Sequence, residues 1–409
     1  MNRGFLGGTF NPPHQGHIHA ARAAMEQLGL DELYFIPTGE PPHKVLPVDT
    51  ATAEQRLEMT RLAASGIPHA KALDLEIRRE GPSYSVITAR ELLEEDPEGE
   101  LWLLCGTDMF LTLDRWYRAD WLLENLHIAA YPRKPGEMPD LEEKAEVLRR
   151  RWNARVELIR LDPMEVSSTD VRSALKQGGG SALLGDEIYA YILRNRLYGV
   201  VPEPEALWRL AVPMLEEKRI PHVRGCREEA VKLALRWGAD AEEAERAAIL
   251  HDVTKKMPEE EQLRLCAAYG IIPGIGAEAD PSRADKERLS PGDFARYYPA
   301  VLHAFSGAAA AWGLFGASSA VRDAIMWHTT GKRDMTLLEK IIWLADYIEP
   351  TRTMPGVKKV RRLAYEDLDG ALRLAMKNSL DHMTERKKDP HPASLEALND
   401  LKKRNGKET

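Results

Sequence analysis

Two histidines near the start of the chain have the type and spacing expected of a phosphate-binding turn. His14 and His17 flank Gly16 within the glycine-containing residues 7–17. The apolar residues 4–6 predict the end of a buried strand, and the alanine-rich residues after 17 predict a helix. Glycines let backbone N–H groups approach an anion closely, and a helix N-terminus attracts negative charge. A tight turn that merely carries two surface histidines is the alternative.

The same stretch, GGTFNPPHQGH, resembles the HxGH signature of the nucleotidyltransferase superfamily and, more narrowly, bacterial nicotinate-mononucleotide adenylyltransferases. This resemblance implies adenylyl transfer from ATP, accompanied by Mg²⁺, to nicotinate mononucleotide, giving deamido-NAD and pyrophosphate. It implies that His14 and His17 are catalytic and hold the ATP phosphates. Further nucleotide contacts are expected from Gly7, Gly8, Thr9 and Phe10. Asn11 stands where many relatives carry aspartate, so it cannot serve as a titrating base.

A second stretch, VSSTDVR at residues 166–172, places hydroxyl groups and an arginine at the start of an apolar helical run. Taken alone, these residue types suit a helix cap. The stretch also resembles the ISSTxxR motif of the same superfamily. That resemblance implies that Ser167, Ser168 and Thr169 hold ATP phosphates and that Arg172 neutralises developing charge. Arg172 follows Thr169 by one helical turn, within reach of the same anion.

Four more residues follow predicted strands in this half of the chain. The resemblance implies that Lys44, in a proline-rich loop, is catalytic near the phosphates and that Asp108 and Arg133 contact the nucleotide. It also implies that Trp116 stacks on the pyridine ring, a suitable use of an indole. A stiff surface loop, a helix cap and a core tryptophan are the alternatives for Lys44, Asp108 and Trp116.

The second half of the chain carries scattered residues of types that bind divalent metals. The candidate ligands are His222, His251, Asp252, His303, His328 and Asp346. One carboxylate that bridges two ions, with imidazoles completing each, would suit a phosphohydrolase. Any one of these histidines alone is more often an ordinary core or surface residue.

The order His…His-Asp…His…His…Asp resembles the HD-domain superfamily of metal-dependent phosphohydrolases. The contexts WHTTG at 327–331 and LADYIEP at 344–350 are similar to bacterial HD-type symmetrical diadenosine tetraphosphate hydrolases. This resemblance implies a dinuclear iron or manganese site with Asp252 as a catalytic residue, and cleavage of diadenosine tetraphosphate to two ADP. Further candidates for contact with the polyphosphate are Lys255, Tyr347, Glu349 and Arg352. A domain that senses nucleotide without turnover, or cleaves another phosphoester, is the alternative.

Domain boundaries follow from the pattern of apolar runs. Over residues 1–199 short apolar runs alternate with helical stretches, which predicts an α/β Rossmann-like nucleotidyltransferase domain with a parallel sheet. Residues 200–206 carry two prolines and predict a linker. Helical patterns over residues 207–385 predict an all-α HD domain, and residues 386–409 are predicted to be a polar tail.

Bulk composition limits the classes of partner. The 409-residue chain carries a net charge of −8, which disfavours binding to a nucleic-acid polymer. Its three cysteines are widely spaced and suit a reducing cytoplasm rather than a disulfide framework. The start of the sequence lacks the pattern of a signal peptide, and no apolar run reaches membrane-spanning length. We therefore expect a cytoplasmic enzyme without a membrane partner, and assembly into a homo-oligomer stays open.

Overall fold

The computed structural model describes residues 1–41, 47–271, 294–296 and 298–405. The chain divides into two units, Met1–Val201 and Pro202–Thr409. The division lies inside the predicted linker 200–206. The last part of that linker is helical, because a helix begins at Pro204 and proline suits the first turn of a helix.

Six parallel strands form the sheet of the first unit, in the order β3-β2-β1-β4-β5-β6. The strands are β1 (Asn2–Gly8), β2 (Glu32–Pro37), β3 (Ala70–Ala72), β4 (Glu100–Gly106), β5 (His127–Tyr131) and β6 (Arg155–Leu158). In the centre of the sheet, Phe5 pairs with Tyr34 of β2 and with Leu103 of β4. The predicted parallel sheet is confirmed.

Helices connect and cover these strands. They are α1 (Gln15–Leu28), α2 (Ala53–Ser65), α3 (Leu75–Arg78), α4 (Ser85–Glu95), α5 (Thr107–Phe110), α6 (Ala119–Asn125), α7 (Met138–Trp152), α8 (Ser168–Lys176) and α9 (Asp186–Arg194). Single 3₁₀ turns cover Leu113–Arg115, Ser181–Leu183 and Leu197–Gly199. Because helices cover the strands, β4 is buried from Leu101 to Gly106, without alternation between apolar and polar residues.

The strand order creates a switch point next to β1. The chain passes from β1 to β2 and β3 on one side, then returns at β4 and continues to β5 and β6 on the other. Ligands of open α/β sheets bind beyond the carboxyl ends of the strands at such a point. The loop after β1 leads to His14, and the helix after β4 contains Asp108. The fold therefore places both residues at the expected edge.

The described regular elements of the second unit are all helices, as predicted. They are α10 (Pro204–Ala211), α11 (Ile220–Trp237), α12 (Ala241–Leu250), α13 (Glu259–Ala268), α14 (Pro299–Gly313), α15 (Ser319–Trp327), α16 (Leu337–Ile348), α17 (Val357–Ala364), α18 (Leu368–Glu385) and α19 (Pro392–Asn405). Single 3₁₀ turns cover Val212–Met214 and Glu217–Arg219. Among the described residues, no helix is both long and apolar enough to cross a membrane.

Part of the predicted polar tail 386–409 is helical. Residues 392–405 form α19, and Ala397, Leu398 and Leu401 on it are buried. Ala397 and Leu401 are four positions apart, so they lie on one helical face despite the surrounding charged residues. That face supplies the burial that stabilises a helix which composition alone does not indicate.

Candidate functional site

The loop between β1 and α1 presents its backbone and buries one aromatic ring. Gly7 is exposed, and Gly8 and Thr9 are partly exposed. Phe10 is only 1% exposed, and its ring meets the His17 ring edge-on with 5.0 Å between centroids. The Phe10 side chain therefore packs against the His17 ring. The nucleotide contacts expected of residues 7–9 stay a prediction.

The two histidines of this loop lie side by side, with 3.8 Å between ring centroids. The backbone N–H of His14 donates to Nδ1 of His17 at 3.2 Å, so a neutral His17 carries its proton on Nε2. Burial lowers the pKa of His14 to about 4. Burial, with neighbouring His14 and Arg133, holds the pKa of His17 well below its usual value. Near neutral pH both rings are uncharged, and Nε2–H of His17 is a donor suited to a phosphate oxygen.

These shifts predict how stability depends on pH. Below pH 6.5 the unfolded chain protonates both imidazoles, while folded His14 stays neutral down to about pH 4. The free energy of unfolding therefore falls as the pH drops through this range, by at most about 1.4 kcal/mol per pH unit for each histidine. Calorimetric melting between pH 4.5 and 7 should show a shallower pH dependence in the double variant His14→Asn, His17→Asn. The control His19→Asn lies on the same helix, and equal slopes in all three proteins would contradict the assignment.

The start of α8 packs against the same loop, so the two sequence motifs meet. The Ser168 hydroxyl donates to the Pro12 carbonyl at 2.9 Å. Arg172 donates to the Asn11 carbonyl at 2.8 Å and to Oγ1 of Thr169 at 3.3 Å. Ser167 instead accepts from the backbone N–H of Asp170, which is the cap that its residue type suggested.

Gly16 permits this close approach. A Cβ atom at this position would lie 3.0 Å from Cγ1 of Val166 and 3.1 Å from Nδ1 of His14. Both distances are shorter than ordinary van der Waals contact. A side chain at position 16 would push the start of α8 away from the histidines.

Asp108 and Arg133 form an ion pair beside this site, with 2.6 Å between Oδ2 and Nη1. A carboxylate that the sequence analysis missed holds the Arg133 loop in place. Glu137 accepts from the backbone N–H groups of Arg133 at 2.8 Å and Lys134 at 3.0 Å, and from the Thr107 hydroxyl. The chain after β4 and the chain after β5 are thereby tied together.

Two other predicted residues have different outcomes. Trp116 is partly buried against the core, and its indole N–H donates to the Thr112 hydroxyl at 3.4 Å. Both interpretations of Trp116, as core residue and as stacking surface, are compatible with this position. Lys44 lies outside the described residues.

Asn11 has a structural part in this unit. It is buried, and its Oδ1 accepts from the Tyr198 hydroxyl at 2.9 Å and from the Ala51 N–H at 3.2 Å. These bonds fix the residue whose carbonyl holds Arg172. Asparagine in place of aspartate at position 11 therefore keeps the side-chain oxygen that accepts these bonds, and it carries no group that titrates.

All six candidate metal ligands of the second unit meet in one cluster. His222, His303 and Asp346 lie on α11, α14 and α16, while His251–Asp252 directly follow α12 and His328 directly follows α15. The Nε2 atoms of His222 and His251 are 3.4 Å apart, and those of His303 and His328 are 3.2 Å apart. Five helices thus bring the imidazoles together as two pairs.

The carboxylate of Asp252 lies between the two pairs. Its Oδ1 is 3.3 Å from Nε2 of His303, and its Oδ2 is 3.4 Å from Nε2 of His251. Asp346 lies next to the first pair, with Oδ1 3.1 Å from Nε2 of His222. Asp252 is almost completely buried, so its charge needs a cationic partner.

The imidazoles present lone pairs to one another. Nδ1 of His251 bonds the Ala248 carbonyl at 2.7 Å, and Nδ1 of His328 bonds the Ile325 carbonyl at 2.6 Å. A carbonyl only accepts, so each Nδ1 carries the proton and each neutral Nε2 carries a lone pair. Burial lowers the pKa of His328 to about 3 and that of His251 well below its usual value, so both rings are neutral.

Converging lone pairs and carboxylate oxygens fit divalent cations. Donor atoms of two overlapping groups lie within 4.8 Å of one another: His222, His251 and Asp346, and then His251, Asp252 and His328. The donor set of nitrogen and oxygen suits iron, manganese or zinc.

Cationic side chains surround the carboxylates of the cluster. Arg219 pairs with Asp252, whose other oxygen is 3.0 Å from Nζ of Lys255. Nη2 of Arg352 lies 2.6 Å from Oδ1 of Asp346. Burial, with Arg219 and Arg352 adding repulsion, lowers the pKa of Lys255 to about 8. The sequence analysis missed Arg219, although its position one turn before His222 was a usable signal.

Two cavities open beside the cluster and share the side chains of Lys218 and Arg219. One, of about 250 Å³, also reaches Asp252, Lys255 and Lys256. The other, of about 450 Å³, also reaches Arg352. The other two candidates for polyphosphate contact are more buried than Lys255 and Arg352. Tyr347 is buried and stacks on Trp343, and Glu349 is fully buried against His222.

Comparison with known proteins matches each unit to a different family. Residues 5–174 match the cytidylyltransferase-like family, and residues 219–351 match the HD domain family. A probable nicotinate-nucleotide adenylyltransferase of Lachnoclostridium phytofermentans is 35% identical over 196 residues, which are 48% of this chain and 98% of the relative. Another from Gloeobacter violaceus is 38% identical over 199 residues, 48% of this chain and 96% of the relative.

Solved structures give the following matches. One is a crystal structure from Clostridium acetobutylicum, described as a predicted HD superfamily hydrolase involved in NAD metabolism. It is 33% identical with a TM-score of 0.40, and the match covers 49% of this chain and 97% of that protein. Nicotinic acid mononucleotide adenylyltransferase of Plasmodium falciparum in complex with NaAD is 16% identical with a TM-score of 0.41, covering 49% and 98%. From the sequence relatives and family models, the chain belongs to the nicotinate-nucleotide adenylyltransferase family and carries an HD domain fused behind that region.

Proposed function

We propose that the first unit transfers the adenylyl group of ATP to nicotinate mononucleotide, releasing pyrophosphate. The meeting of the two motifs at the switch point of the sheet supports this assignment, together with relatives that carry this activity in their names. Pyrophosphate release from ATP and Mg²⁺, dependent on nicotinate mononucleotide, tests it. Comparison with nicotinamide mononucleotide defines the acceptor.

In this reaction the acceptor phosphate attacks the α-phosphorus, and the protein contributes position and charge stabilisation. Nε2–H of His17 donates to a phosphate oxygen, and neutral His14 lies next to it. Arg172 brings a permanent cation to the same loop through its bond to Asn11. Lys44 adds a second cation in this proposal.

For the second unit we propose metal-dependent hydrolysis of a dinucleoside polyphosphate, with diadenosine tetraphosphate as the substrate and ADP as the product. The position of Asp252 between two imidazole pairs carries this proposal. His222, His251 and Asp346 would hold one ion, and His303 and His328 the other, with Asp252 bridging. A divalent ion in such a site supplies an acidified water as nucleophile.

Charge around the cluster favours a polyanionic substrate. Five cations border the two cavities: Lys218, Arg219, Lys255, Lys256 and Arg352. Three acids, Glu216, Asp252 and Glu349, line the same cavities, so cations outnumber acids there although the whole chain is acidic. Charge-assisted bonds to phosphate oxygens are among the strongest hydrogen bonds in proteins. A tetraphosphate chain can engage more of these cations than a single phosphate can.

This argument predicts the order of substrates. With Mn²⁺ added, kcat/KM for diadenosine tetraphosphate should exceed that for AMP by at least roughly tenfold, because one additional charged hydrogen bond contributes about 1.5–3 kcal/mol. Steady-state rates for the two compounds give the comparison. Faster turnover of AMP would assign the domain to another phosphoester, and tight binding of the tetraphosphate without turnover would assign it to nucleotide sensing.

A further inference from the structure

His222 differs from the other histidines of the cluster in what holds its second ring nitrogen. Backbone carbonyls bond Nδ1 of His251 and His328 at 2.7 and 2.6 Å, and a backbone bond at Ala300 engages His303. Nδ1 of His222 instead lies 3.0 Å from Oε1 of Glu349. This side chain has no exposed surface, although it is among the residues that line the larger of the two cavities.

We propose that Glu349 is a positioning residue for the metal centre, acting through His222. Both ring nitrogens of His222 lie near a carboxylate oxygen: Nδ1 is 3.0 Å from Oε1 of Glu349 and Nε2 is 3.1 Å from Oδ1 of Asp346. With the proton on Nδ1 and donated to Glu349, Nε2 would keep the lone pair that a metal ligand needs. A carboxylate partner also raises the basicity of the imidazole more than a carbonyl does. The inference rests on the proposed metal centre and adds a residue that touches no ion itself.

The turn after α16 is built to keep this carboxylate in place. The Thr351 N–H donates to Oε2 of Glu349 at 2.7 Å, and the Thr351 hydroxyl donates to Oε1. The guanidinium of Arg361 donates to the carbonyls of Ile348 at 2.5 Å, Glu349 at 2.6 Å and Arg352 at 2.7 Å. Five hydrogen bonds therefore fix both the backbone and the side chain of the turn.

Helix α11 lies directly against the same carboxylate at Gly225. A Cβ atom at position 225 would lie 2.7 Å from Oε2 of Glu349, closer than real Cβ atoms approach. His222 lies on this helix one turn before Gly225. Glycine thus allows the helix that carries the ligand to come within reach of Glu349, and an added methyl group would displace the carboxylate without removing it.

The test measures metal affinity, which does not depend on turnover. Mn²⁺ binding to the full chain is followed by isothermal titration in wild type, Glu349→Gln and Gly225→Ala. Glutamine keeps the size and an accepting oxygen but removes the charge, so we expect Mn²⁺ to bind roughly 10–100-fold more weakly at one site. Gly225→Ala should weaken the same site with the carboxylate still present.

Glu339→Gln is the matched control. Glu339 is also buried on α16 and pairs with Lys332, away from every candidate ligand. A purely structural loss lowers the melting temperature without changing Mn²⁺ affinity, which is the result expected for this control. Affinity within twofold of wild type in both Glu349→Gln and Gly225→Ala would overturn the inference, while the metal centre would stand. If the unaltered chain binds no Mn²⁺, both the inference and the proposed centre fail.

Discussion

Replacing Asp252 with asparagine is expected to abolish metal-dependent hydrolysis and to leave adenylyl transfer unchanged. Asparagine preserves the shape of the side chain but removes the charge that lies between the two imidazole pairs. A metal at such a centre contributes several kcal/mol of charge stabilisation. At about 1.4 kcal/mol for each factor of ten, its loss lowers the hydrolysis rate by roughly 10³-fold or more.

Three measurements on Asp252→Asn check this expectation: bound metal by elemental analysis, cleavage of diadenosine tetraphosphate, and pyrophosphate release by the first unit. Asp369→Asn serves as the control, because the Asp369 carboxylate also pairs with a lysine, Lys340, but is not a candidate metal ligand. Retention of full metal content in Asp252→Asn would show that the ligand assignment is wrong. Loss of adenylyl transfer as well would show that the two activities are not separable.

Replacing His17 with alanine is expected to lower kcat/KM for adenylyl transfer by roughly 10²–10³-fold, the usual effect of losing one preorganised donor to a developing negative charge. The donor is Nε2–H, whose tautomer is set by the backbone of His14. Removing the ring also leaves a gap above Phe10, so the melting temperature of the variant must be measured alongside its activity.

His19→Ala provides the comparison for His17, because it removes an imidazole from the same helix two residues further on. We expect it to keep adenylyl transfer within about threefold of wild type, because His19 is partly buried but belongs to neither motif, and substitutions away from special features change free energies little. Hydrolysis of diadenosine tetraphosphate should be unchanged in both variants. Equal loss of adenylyl transfer in His17→Ala and His19→Ala would contradict a specific role for His17.

Local sequence patterns predicted the elements whose signals are themselves local. The apolar residues 4–6 lie in strand β1 and the alanine-rich residues after 17 lie in helix α1, as the patterns predicted. The three-residue edge strand β3 was not predicted, since Ala70–Ala72 has no apolar run and exists through its pairing with β2. Helix α19 was missed for a similar reason, because its charged composition conceals a narrow buried face.

In the candidate sites too, the residues with local signals were predicted and those that depend on distant partners were not. Motif spacing indicated His14 and His17, whereas residue types and the resemblance to HD domains indicated the six residues of the cluster. The fold brings each set together. The supporting carboxylates were not found as such, because their partners are distant or have no motif. Glu349 and His222 are 127 residues apart, and Glu137 acts on backbone N–H groups that any residue type provides. Only the folded chain identifies such pairs.

The most direct test of the hydrolysis proposed for the second unit is the product pattern from diadenosine tetraphosphate. Purified protein is incubated with this compound and Mn²⁺, with and without a chelator, and the products are separated by chromatography. The proposed metal centre and symmetrical cleavage predict ADP alone, and no product when the chelator is present. ATP together with AMP, or undiminished cleavage in the presence of the chelator, would contradict the account.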